Sequence, residues 1–140
     1  MVLIKPDDNL KLDIPEIDSQ HETMISLVNQ IHETMLKGAD KATLDELLSF
    51  LLDNSQAHFA YEEELMSRYN YPGYEEHKSE HNRLIQQLVD LTTRYHKGEL
   101  LLSFAVALEL KGWAVVHIEK LDKPLGTFLH NLKVMEATKS

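Results

Sequence analysis

His58-Phe59-Ala60-Tyr61-Glu62 is the stretch on which the reading of this chain turns. His58 and Glu62 are four residues apart, a spacing that on an α-helix separates two side chains by about 40° and one turn. An imidazole and a carboxylate so placed can grip one cation. His77 and His81 repeat the spacing. His117 and Asp122 lie near the end of another helical pattern, and His21 stands near the start of the first. Five histidines and two carboxylates in four separated segments point to a metal site built by a helix bundle.

Outward from that stretch, apolar residues recur at helical spacing. Leu44, Leu47, Leu48, Leu51 and Leu52 precede His58 in a helix expected from about Ala42 to Tyr69. Before it, Met24, Ile25, Leu27, Val28, Ile31, Met35 and Leu36 mark a helix that Asp18 or Ser19 can cap and that Gly38 ends. Asn70-Tyr71-Pro72-Gly73 is a turn signal. A third helix follows from about Tyr74 to His96, with Leu84, Ile85, Leu88, Val89 and Leu91 as its stripe and Lys97-Gly98 as its stop. A fourth is expected from about Leu100 to Leu121, limited by Pro124, with one short extra helix over residues 125–135. Residues 1–17 hold two of the four prolines and read as an extended arm. Short loops favour antiparallel neighbours. The expected fold is therefore all-α, an antiparallel up-down-up-down four-helix bundle over about residues 18–121. The arm precedes it, a C-terminal segment 122–140 follows, and the whole chain 1–140 forms one domain.

Sequence separation tests whether the donors meet. His21 lies 18 residues before Ala39, the centre of the first loop, and His58 lies 19 after it. Around Tyr71, His58 and Glu62 precede by 13 and 9 residues, while His77 and His81 follow by 6 and 10. Around Gly98, His81 precedes by 17 and His117 follows by 19. At ~1.5 Å rise per residue, these mismatches fit within roughly 10 Å of axial spread. A single His-x-x-x-His pair occurs on many ordinary surfaces, and a lone buried histidine is usually a hydrogen-bonded core residue. Agreement in height across four helices is what favours a shared site. Glu63 and Glu64 are turned off the His58 face and are expected to be solvated, so that Glu63→Ala keeps the metal and Glu62→Ala loses it. His32 reads as a core or boundary residue, and His96 and His130 receive no role.

Composition narrows the chemistry. The absence of cysteine excludes iron–sulfur ligation, thiolate haem ligation and disulfides. A net charge of −9 without a basic patch argues against a nucleic-acid partner. No apolar run approaches the ~18 residues of a membrane span, so no membrane insertion is expected. No signal-peptide pattern is present, and the expected location is cytoplasmic. Five imidazole nitrogens, two bridging carboxylates and one shared solvent bridge leave one position of two octahedral ions empty. Imidazole with carboxylate suits iron, with zinc or manganese compatible on ligand type. Ferritin-like di-iron oxidases use Glu-x-x-His, and no histidine here has Glu three residues before it.

The chain resembles the hemerythrin family, specifically its single-domain bacterial members, over about residues 14–130. The resemblance rests on Ile14-Pro15-Glu16-Ile17-Asp18-Ser19-Gln20-His21, on His58-Phe59 with Glu62, on His77 and His81, and on Trp113 with His117-Ile118 and Asp122. It implies a non-haem di-iron centre with a bridging oxo or hydroxo group and no haem. His77, His81 and His117 would hold one iron, His21 and His58 the second, with Glu62 and Asp122 bridging and the vacancy on the second iron. The implied activity is reversible O2 binding for carriage, storage or delivery, with small anions such as azide as competing ligands. The alternatives are an O2 or redox sensor module, or a di-iron enzyme consuming peroxide or nitric oxide; a catalytic role is not expected. The implied O2 pocket comprises Met24, Ile25, Phe59, Trp113, Ala114 and Ile118. Two departures stand out. The arm lacks the family's tryptophan, and Ala114 stands where the family usually has leucine.

One expectation is geometric. His117 and Asp122 are five residues apart, which turns them about 140° from each other on a regular helix. Both reach one site only if the helix widens or ends between Ile118 and Asp122, with help from Pro124.

Overall fold

The computed structural model describes residues 3–4, 10–38, 40–99 and 104–139. Helices α1 (Pro15–Leu36), α2 (Lys41–Arg68), α3 (Tyr74–His96) and α4 (Phe104–His117) are followed by a π-helical turn (Ile118–Asp122) and α5 (Lys123–Lys139). Among the described residues there is no strand. Helix α4, the π turn and α5 run on without a break and form the fourth rod of an all-α, four-helix bundle. The core is aliphatic, centred on Ile17, Val28, Ile31, Leu48, Leu51, Met66, Leu88, Ile118 and Leu125.

Helix α1 begins three residues before the expected cap. Pro15 occupies its first turn, where a missing N–H costs nothing and φ is preset for a helix. Asp18 is already helical: its N–H donates to the Ile14 carbonyl at 2.8 Å, and its Oδ1 accepts the Leu12 N–H at 2.8 Å. The aspartate thus ties down the arm rather than the helix end. Helix α2 starts as a capping residue dictates, with Asp40 Oδ1 accepting the Thr43 N–H at 2.9 Å. Gly38 and Gly98, at φ 74° and 78°, take the left-handed turns that close α1 and α3. The expected start of the fourth helix at Leu100 lies outside the described residues.

The described part of the arm packs on the bundle. Leu10, Leu12 and Ile14 are buried. Asn29 pairs with both backbone groups of Ile4, accepting its N–H at 2.7 Å and donating to its carbonyl at 2.9 Å. Leu12 lies so close to Gly126 that a Cβ there would come within 3.0 Å of Leu12 Cγ. His130, assigned no role from sequence, donates through Nε2 to the Leu12 carbonyl at 2.7 Å.

Pro124 does not end the fourth rod. The π turn shifts the hydrogen bonding, so that the Lys123 N–H donates five residues back to Ile118, and Pro124 follows in the first turn of α5. The ring therefore sits just past a widened turn, where the clash with a carbonyl four residues back is relieved. The short extra helix expected over 125–135 is instead 17 residues long and continuous with α4.

Candidate metal centre

Each rod contributes donors because its apolar stripe forces them inward. His21 shares the buried face of α1 with Ile17, Met24, Ile25 and Val28; His58 and Glu62 continue the α2 stripe of Leu44, Leu48, Leu51 and Ser55. On α3, His77 and His81 lead directly into Leu84 and Leu88. The π turn carries Asp122 to the face of His117. None of the seven is more than 5% exposed, and Glu62 and Asp122 are fully buried.

The seven side chains fall into two groups, in each of which one ligand atom per residue lies within 4.8 Å of all the others. One contains His77, His81 and His117, the other His21 and His58, and Glu62 and Asp122 belong to both. Asp122 divides its oxygens between them. Oδ1 lies 3.0 Å from His77 Nε2 and 3.1 Å from His117 Nε2, whereas Oδ2 lies 2.8 Å from His21 Nε2. Glu62 Oε1 lies 3.0 Å from His81 Nε2 and 3.5 Å from His58 Nε2. His21 Nε2 and His58 Nε2 face each other at 3.0 Å. Among the described residues, buried Glu62 Oε2 has no hydrogen-bond partner, and His117 Nε2, although 3.1 Å from Asp122 Oδ1, makes no well-aligned hydrogen bond. Five imidazole nitrogens and two carboxylates converging on one interior, with orphaned donor atoms among them, fit a pair of cations.

Electrostatics carries the same message. Burial opposes charge on His58 and His81 and lowers both, and His81, which also faces His77 and His117, falls to about 2. Burial acts likewise on His117, but Asp122 and Glu62 outweigh it and raise that ring to about 9. Burial and then the Asp122 charge push Glu62 well above the ordinary carboxylate range. Asp122 is held well below it, because His117, His21 and His58 overcome its burial. Without a metal the site is a set of electron-pair donors competing for scarce positive charge.

Outside the seven, two side chains given no part in the site from sequence hold histidine rings from behind. Gln20 Oε1 accepts from His58 Nδ1 at 2.6 Å, and Glu63 Oε2 accepts from His81 Nδ1 at 3.1 Å. The expectation that Glu63 is merely solvated is therefore corrected. Its angle on α2 turns it away from the His58 face but toward α3, which packs alongside. Glu64 is exposed as expected and pairs with Arg68. His32 is a core residue, and His96 is on the surface near Asp45.

The structure locates the two aromatic residues of the expected pocket against the histidines and buries four others in the core. Met24, Ile25, Ala114 and Ile118 are buried. The Phe59 ring stacks on His81, with centroids 4.0 Å apart, and is farther from His58 at 5.6 Å. Trp113 donates to the Leu84 carbonyl at 3.4 Å and lines a cleft of about 1010 Å³ between α3 and α4, with His117 also in its wall. Both aromatic rings thus stand on the three-histidine side. Among the described residues, no helix is long and apolar enough to cross a membrane.

Comparison with known proteins agrees with this geometry. Residues 12–129 match the Hemerythrin HHE cation binding domain. The chain is 33% identical to a bacteriohemerythrin of Methylococcus capsulatus over 80% of its length and 85% of that protein. It is 30% identical to a bacteriohemerythrin of Aquifex aeolicus over 86% of its length and 93% of that one. The crystal structure of a wild-type hemerythrin superposes with a TM-score of 0.83 at 29% identity, covering 89% of this chain and 96% of the other.

Proposed function

The chain belongs to the hemerythrin family, and from that premise we propose that it binds dioxygen reversibly at a non-haem pair of irons, for carriage, storage or delivery. The observation that carries the reading is the division of seven buried donors into two groups sharing Glu62 and Asp122. In it, His77, His81 and His117 would hold one iron and His21 and His58 the other, with Glu62 and Asp122 available to both. The iron pair, when bound, would supply the two electrons that reversible dioxygen binding needs. The chain supplies the rest. Its buried imidazoles would keep the ions in a medium that opposes added charge, and buried Met24, Ile25, Ala114 and Ile118 would help to exclude water from the site.

The test is the absorption spectrum of the purified, reduced protein through repeated oxygenation and deoxygenation. A carrier returns to the same two spectra over many cycles. Irreversible oxidation on first exposure would favour a sensor, and steady consumption of O2, peroxide or nitric oxide would favour an enzyme. The pocket reading has its own check, because Ala114→Leu adds three carbons to the wall. Autoxidation and azide binding should both slow, with iron content unchanged.

A further inference from the structure

The two histidine groups are supported unequally from behind. On the two-histidine side, His58 Nδ1 is held at 2.6 Å by Gln20, a neutral amide. On the three-histidine side, His81 Nδ1 is held at 3.1 Å by Glu63, a carboxylate. Among the described residues the remaining three rings have no such partner, since Nδ1 of His21, His77 and His117 is buried without a hydrogen bond. His81 is also clamped on its face by the parallel Phe59 ring, at an interplanar angle of 8°. Glu63 and His81 meet in the wall of a shallow surface pocket of about 430 Å³ between α2 and α3.

A carboxylate on the outer nitrogen of a metal-bound imidazole fixes its tautomer and makes the inner nitrogen a stronger donor; a neutral amide fixes the tautomer alone. We propose that Glu63 is a positioning and tuning residue for the three-histidine half of the site. It holds His81 with Nδ1 protonated and Nε2 turned inward, and it biases that half toward the ferric state relative to the half served by Gln20. The proposal rests on the iron-pair reading above and adds to it an electronic inequality that the donor atoms alone do not create.

Three variants test it: Glu63→Ala, Glu63→Gln and, as a neighbour on the exposed face, Glu64→Ala. The readouts are the iron affinity against a competing chelator and the reduction potentials of the iron-loaded protein. The ¹⁵N shifts of His81 in iron-free protein report its tautomer. Loss of the partner in Glu63→Ala should weaken iron binding by about 10–100-fold. Glu63→Gln, which keeps an acceptor without the charge, should retain iron but lower the ferric preference of one ion about tenfold, a rise of about 59 mV. Glu64→Ala should leave affinity, potentials and tautomer as in the parent. Glu63 variants indistinguishable from Glu64→Ala in both potential and affinity would overturn the proposal, as would a His81 protonated on Nε2. A parent protein that takes up no iron pair would instead overturn the metal reading beneath it.

Discussion

Helix α3 and the fourth rod present donors to the same interior by different means. In α3, His77 and His81 are four residues apart, the helix is regular throughout, and both rings are buried, at 2% and 1% exposure. In the fourth rod, His117 and Asp122 are five apart, and both point inward because the turn between them is π-helical. A regular turn advances about 100° per residue, so four residues pass a full circle by only about 40° and five pass it by about 140°. The wider π turn absorbs the extra residue. Donor spacing, not helix propensity, decides which of the two backbones is used.

The largest expected effect comes from removing what the π turn delivers. Asp122→Ala deletes the one carboxylate whose two oxygens serve different histidine groups, so metal analysis should find the iron pair lost, not reduced to a single tight ion. A variant that still holds two irons would mean that the widened turn serves no ligand. Next comes a transplant of the awkward spacing into α3. One alanine inserted between Ser79 and Glu80 sets His77 and His81 five residues apart. Iron should fall below two per chain. Full occupancy on a regular α3, seen in a structure of the variant, would sink the spacing argument.

The two rods also differ in charge, and the metal-free protein should show it. His81 of α3 falls from 6.5 to about 2 through burial and its histidine neighbours, so the stability it contributes is present above pH 6.5 and lost as pH drops below it. His117 of α4 rises from 6.5 to about 9 because Asp122 and Glu62 outweigh burial; its contribution is complete below pH 6.5 and lost between 6.5 and 9. Each slope is on the order of 1 kcal/mol per pH unit. Denaturant melts of the metal-free chain should therefore weaken on both sides of about pH 6.5. His81→Phe should lessen the loss on the acid side and leave the alkaline side as in the parent, while His58, also lowered by burial, keeps part of the acid slope. A melt profile that is unchanged between pH 5 and 9 would contradict both assignments.

Pro124→Ala should have the smallest effect. Asp122 is held by His21, His77 and His117, so the turn is expected to stay π-helical without the ring. Iron content should not change, and stability should move by about 1 kcal/mol or less. Loss of metal in this variant would show that the proline imposes the turn.

What the sequence made legible follows from the same geometry. His58 with Glu62 and His77 with His81 are visible because four-residue spacing maps directly onto a helix face. The π turn is visible for the opposite reason, since five-residue spacing cannot satisfy one site on a regular helix. Pro124 misled about the length of α5: the sequence rule treats proline as a stop, whereas the shifted hydrogen bonds leave its missing N–H without consequence. Asp18 misled about the start of α1, because its carboxylate was free to bond the arm once Pro15 had begun the helix. Glu63 was invisible as a partner of His81, since a helical angle locates a residue on its own helix and says nothing of the ring that a neighbouring helix brings to it.

The central claim is that seven buried side chains on four rods hold two irons. Elemental analysis of the purified protein, grown with ample iron and quantified per chain, tests it most directly. The account requires two irons per chain in the parent, retained in Glu64→Ala and lost in Asp122→Ala. One ion per chain, or zinc in place of iron under those conditions, would contradict it.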